Sequence, residues 1–163
     1  MLKSGQLAGS RGFSLIEVLI ALLLLSIGLL GVAGLQALSV QMNVSANQSS
    51  QATYIGYDIV DRMRANRMAA LKGAYDRALS CTLPTGTTVA DNDLKEVLQR
   101  TCGMDDGTNK VPGALAQEAG KTGVQIGVAS GVATVVIAWY DARWEKDPAK
   151  NSPIRKVTVQ AEL

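Results

Sequence analysis

The sequence predicts an α+β protein in which a long N-terminal α-helix, membrane-length and apolar in its first half, packs through its second half on an antiparallel β-sheet. Three observations carry this. Residues 13–35 form an apolar run with one ionisable side chain, Glu17. The chain beyond stays helix-compatible, with no proline before Pro84. The last third alternates apolar and polar residues with period two, the pattern of strands that bury one face. A chain of 163 residues, 47% of them hydrophobic, suffices for one domain besides an anchor.

The first element is the apolar helix. Residues 1–12, MLKSGQLAGSRG, carry Lys3 and Arg11 and no acid. At about 1.5 Å per residue the run 13–35 makes about 34 Å of helix, enough to cross a hydrocarbon core of about 30 Å. Basic residues lie only on its N-terminal side, and no charge follows until Asp58. The positive-inside rule therefore places the short leader in the cytoplasm and the remainder outside. A secretory signal peptide cut near VAG or ALS is the alternative, but its apolar region usually spans about 7–15 residues. A plain uncleaved anchor has the right length and leaves Glu17 without a purpose. A carboxylate at bilayer depth costs about 2–3 kcal/mol or more unless something pairs with it.

Arg11, Gly12 and the stretch Phe13-Ser14-Leu15-Ile16-Glu17 opening an apolar helix resemble the class III signal of type IV pilins and pseudopilins. The resemblance covers about residues 11–40. It implies a pilin fold and three parts: a cytoplasmic leader, 1–12, removed by prepilin peptidase; a transmembrane and filament-core helix, 13–35; and a periplasmic globular pilin domain, 36–163. The peptidase would cut between Gly12 and Phe13 and methylate the new amine of Phe13, making Glu17 the fifth residue of the mature chain. Glu17 would then meet the Phe13 amine of a neighbouring subunit. That pairing is physically reasonable, because the positive end of the helix macrodipole disfavours the Phe13 cation and favours the Glu17 carboxylate. Each buried charge gains its partner only on assembly, and a pair satisfied at one stagger fixes register.

Within that family the stretch 14–36 looks especially like a minor pilin. The implied role is a low-abundance subunit that joins other minor pilins to prime pilus assembly. The implied partners are other minor pilins and the major pilin, prepilin peptidase and the inner-membrane assembly platform. The implied location is the inner membrane as a single-pass protein, then the pilus, at its tip or elsewhere. A minor pseudopilin of a type II secretion system shares this N-terminal logic and is the first alternative. An adhesin or a DNA-binding pilin is the second. Gly28, Gly31 and Gly34 admit two readings, a close-packing seam between helices or points where the helix loosens.

In the second half of the helix Ala52, Ile55, Ile59 and Met63, followed by Met68 and Leu71, form an apolar stripe beside Asp58, Asp61, Arg62 and Arg64. One helix from about residue 14 to about residue 78 is expected, with an interruption plausible at 43–51 and at Gly56. From Cys81 the signals become turns, bracketing a short helix with Asp91 or Asp93 as its cap and Leu94, Val97 and Leu98 on its buried face. Residues 123–129 and 132–144, separated by Ser130-Gly131, read as a hairpin. The final strand, 154–163, presents Val157, Val159 and Ala161 on one face and Lys156, Thr158, Gln160 and Glu162 on the other. Trp139 and Trp144 read as core and sheet-face residues.

The two cysteines, Cys81 and Cys102, are too far apart for a CxxC pair, and in an exported domain a disulfide is their natural assignment. Its closure would stabilise the fold by about 3 kcal/mol. Sixteen basic and fourteen acidic residues give a net charge of +2, and the signs interleave beyond the leader, so no nucleic-acid partner is expected. The chain has no histidine and shows no nucleophile elbow, phosphate loop or carboxylate cluster. Neither an enzyme nor a cofactor or metal is expected.

Overall fold

The computed structural model describes residues 12–105, 110–115, 117, 120–141 and 154–163. Helix α1 runs Leu15–Ala65. By chain contacts the protein divides into two units, Met1–Gln41 and Met42–Leu163. The described part of the first is the opening of α1, whose large apolar side chains from Phe13 to Leu38 are all exposed. It is long and apolar enough to cross a membrane, with a mean hydropathy of 2.7 over its best window.

The second unit is an α+β domain. A four-stranded antiparallel sheet, in the order β1-β4-β5-β6, is built from β1 (Arg77–Ser80), β4 (Gly123–Ala129), β5 (Val132–Tyr140) and β6 (Ile154–Glu162). A two-stranded ribbon pairs β2 (Gly103–Asp105) with β3 (Lys110–Pro112). Between these lie α2 (Arg67–Leu71) and α3 (Val89–Cys102). The long helix packed on an antiparallel sheet is the architecture that the sequence predicts.

The core sits where the lower part of α1 meets the sheet. Ala52, Ile55, Ile59, Val60 and Met63 of α1 join Val124, Ile126, Val135, Ile137, Trp139 and Val159 of the strands in one buried cluster. Burying each larger aliphatic side chain stabilises by about 1.5–3 kcal/mol, so this stripe anchors the helix on the sheet. The stripe ends earlier than its periodicity suggests. Met68 and Leu71 are exposed while Ala70 is buried, because α1 stops at Ala65 and Asn66 leaves helical geometry (φ −115°, ψ 45°) to start the separate α2. Arg77 and Ala78, expected at the end of the long helix, open edge strand β1 instead.

The helix is not interrupted at 43–51 or at Gly56. The hydroxyls of Ser49 and Thr53 donate to carbonyls four residues back, so these polar side chains are satisfied within the helix. Gly56 is buried against β6.

The cap of α3 is Thr88, not Asp91 or Asp93. Thr88 Oγ1 accepts from the Asp91 backbone N–H, and the Asp91 carboxylate accepts from the Thr88 backbone N–H, a reciprocal capping box. Leu94, Val97 and Leu98 are buried as their spacing predicts.

The β4–β5 hairpin turns through Ser130 (φ 51°) and Gly131 (φ 80°), both left-handed, as the type I′ turn demands. β5 pairs with β6 from Val132↔Glu162 to Tyr140↔Ile154. On β6, Val159 is buried with Val157 and Ala161 partly so, whereas Lys156, Thr158, Gln160 and Glu162 are exposed. Trp139 is buried, and Trp144 lies outside the described residues.

Candidate processing and assembly segment

The segment predicted to carry processing and assembly opens α1. Gly12 and Phe13 precede the helix and are exposed. The carbonyl of Ser14 accepts the first helical bonds, from the N–H of Glu17 (3.0 Å) and of Val18 (3.3 Å). A side chain added at Gly12 would meet no other atom within 4 Å. No described residue crowds this position, so a requirement for glycine would come from whatever reads the junction.

Glu17 sits in the first turn of α1, where the unsatisfied N–H groups give the helix its positive end. A shallow groove on this face is lined by Phe13, Glu17, Val18, Ala21, Leu22 and Leu25, with Glu17 its sole charge. Among the described residues Glu17 has no ion-pair partner. Gly28, Gly31 and Gly34 are helical, and a methyl added at any of them would meet nothing within 4 Å.

Cys81 and Cys102 are bonded, S–S 2.06 Å with Cα atoms 5.9 Å apart, tying the chain just beyond β1 to the last residue of α3. Other fastenings were not singled out in the sequence. Arg62 of α1 binds Asp58 (3.1 Å), Asp93 (3.2 Å) and Glu96 (2.9 Å), and Arg100 joins Asp58 and Glu96, lacing α1 to α3. The bond with Glu96, more than the opposing effect of burial, holds the Arg62 guanidinium above its usual value, and it holds the Glu96 carboxyl below its own.

Tyr75, buried beneath this network, donates to Asp93 Oδ2 at 2.5 Å and accepts from Asn66 Nδ2 at 3.3 Å. Ser45 donates to the buried Asp141 carboxylate (2.7 Å), fixing the upper turn of the domain's helix to the end of β5. The i,i+4 pairs Asp58/Arg62 and Glu96/Arg100 were visible as charge patterning, but their mutual contact depends on the tertiary fold.

A helix whose opening is apolar over a membrane length, with one carboxylate in its first turn, leads into a disulfide-bonded α+β domain. These features fit a single-pass, membrane-anchored protein. Residues 7–33 match the family model described as the prokaryotic N-terminal methylation motif. The match supports a type IV pilin-like or pseudopilin protein, a class processed by prepilin peptidase and assembled in the membrane with other pilins. No curated protein and no solved structure matches the chain.

Proposed function

We propose that the protein is a minor pilin of a type IV pilus, most similar to the type IV pilus modification protein PilV, and that with other minor pilins it primes filament assembly. The observation that carries this is the lone Glu17 carboxylate, unpartnered in the first turn of an exposed apolar helix and directly behind the Gly12–Phe13 junction. In lipid the uncompensated charge is costly, and a cationic amine on Phe13 of a neighbouring subunit would relieve it. The disulfide also supports a minor subunit. It closes on α3, well before the last strand, whereas major pilins typically close a loop near the C-terminus.

The test is the mass of the protein recovered from sheared surface filaments and from the inner membrane of the same cells, for the wild type and for Glu17→Ala. A species that begins at methylated Phe13 and is present in filaments supports the reading. Such a species confined to the membrane shifts it to a type II secretion pseudopilin, and an unprocessed chain overturns both. Glu17→Ala is expected to be inserted and cut like the wild type yet depleted from filaments by tenfold or more, about 1.4 kcal/mol of lost pairing. Normal incorporation of the variant would refute the pairing.

A further inference from the structure

We propose that the outer edge of β6 is a strand-pairing surface, and that its occupant is the edge strand of a different pilin-like subunit laid antiparallel to β6. The proposal rests on the membrane-anchored pilin reading above. Its starting point is that the two edges of the sheet are treated differently.

At one edge, β1 is four residues long with an irregular register, and the Arg77 guanidinium covers it, donating to the carbonyls of Ser80 (3.4 Å) and Thr82 (2.8 Å). Short strands and edge cations are how proteins keep an edge from pairing. At the other edge, β6 is nine residues long with a continuous register; Ile154 at its start has a partner and Arg64 Nε covers its last carbonyl, Glu162 O, at 3.2 Å, while among the described residues nothing covers the backbone of Lys156, Thr158 and Gln160 on that side.

The hydrogen-bond parity of β6 follows from two observations. The N–H of Leu163 donates inward to Gly131 O, and the carbonyl of Glu162 points outward to Arg64. Backbone groups in an antiparallel strand alternate between its two neighbours. Lys156, Thr158 and Gln160 therefore aim both N–H and C=O away from β5. All three are exposed, and their side chains share the wet face of the sheet.

Strand direction identifies the partner. Each strand of the four is antiparallel to the next, so β1 and β6 run in opposite senses. Two pilin-like subunits standing side by side on one membrane hold their sheets in the same sense. The β6 edge of one then meets the first-strand edge of the next in antiparallel sense, the arrangement of strand addition. A second copy of this chain is a poor occupant, because its own β1 is short and filled by Arg77. The charges on β6 specify the rest. A partner strand that places an acid opposite Lys156 and a base opposite Glu162 gains at both ends, since opposite charges directly across a pair stabilise it.

The experiment uses the full chain in its host. Thr158→Pro deletes an outward N–H and no bond to β5, and edge strands tolerate proline at such a position. The domain should keep its melting temperature while the subunit falls in sheared filaments by about tenfold, the loss of one or two hydrogen bonds. Should that variant fail to fold, Lys156→Glu reverses the edge charge without touching the backbone and should give the same depletion. A folded variant incorporated like the wild type overturns the proposal.

A photoreactive phenylalanine analogue at Thr158 supplies the second readout, taken in membranes before assembly. An adduct mapped to the edge strand of another subunit bearing the methylation motif supports the assignment. An adduct of two copies of this chain, or none while a control position cross-links, overturns it. Absence of the wild type from filaments defeats the function proposed above, whereas the membrane cross-link still decides the edge.

Discussion

Gly56 shows how one residue sets the distance between two elements. A methyl built on it would lie 2.7 Å from Val159 Cγ2 of β6, closer than packed carbons approach. Gly56→Ala gains up to about 1 kcal/mol of helix propensity and loses about 1–3 kcal/mol to overpacking, so the melting temperature should fall. Gly28→Ala, whose added methyl meets nothing, is the control and should not destabilise the chain in detergent. Tyr75 offers a second test at this scale. Burial first, and then the hydrogen bond it donates to Asp93, push its hydroxyl up to about 12 from the usual 10.0. The folded state therefore favours the protonated phenol. Its contribution is whole below about pH 10 and is lost as pH rises from about 10 towards 12. Melting curves of the wild type should show this alkaline loss, and those of Tyr75→Phe should lack it while starting about 1 kcal/mol lower at neutral pH. Parallel curves for the two proteins across that window would show that Tyr75 is not the titrating group.

Elements were legible in the sequence wherever a local rule determines them. The β4–β5 hairpin follows from Ser130-Gly131 between two alternating runs, and α1 from its apolar run and stripe. The end of α1 was not legible, because Met68 and Leu71 continue the apolar period past Asn66 with no proline to stop it. β1 (RALS) has no alternation to read, and β2 and β3 are three residues each among turn signals. The Thr88/Asp91 capping box stands in the sequence as T-x-x-D, and with aspartate where glutamate or glutamine is usual it reads no more strongly than a single acidic cap. The Gly12–Phe13–Glu17 segment offers itself as a candidate in the sequence because it is contiguous, whereas Ser45 and Asp141, far apart in the chain, become neighbours only through the helix-on-sheet packing. The Cys81–Cys102 bridge joins the loop after β1 to the end of α3, so it constrains the least regular part of the domain. Replacing both cysteines with serine should cost about 3 kcal/mol, with 2–5 kcal/mol as the range for native bridges in small exported domains. Chemical denaturation measures it, and a loss below about 1 kcal/mol would mean that the surrounding packing holds α3 without the covalent tie.

At the scale of the whole chain, stability and anchoring are carried by different residues. Every buried apolar side chain in the core cluster lies between Ala52 and Val159, and so do the ion network, the Tyr75 hydrogen bonds and the disulfide. The described residues before Gln41 bury none of their large apolar side chains. Their exposed surface suits lipid or a neighbouring helix, where the hydrophobic effect of water is absent and small residues decide packing. A chain beginning at Met42 should therefore fold by itself, retaining the disulfide and a cooperative melt. Its melting temperature should match that of the full-length protein in mild detergent within a few degrees, the shift about 1 kcal/mol produces in a domain of this size. The first helical turns after residue 42 lose their preceding helix, and the Ser45–Asp141 bond helps to hold them on the sheet. Amide exchange should accordingly rise over residues 42–51 and stay slow over 55–63, the stretch whose Ile55, Ile59, Val60 and Met63 are buried. A fragment that fails to melt cooperatively would show that the apolar opening of α1 is a folding element as well as an anchor.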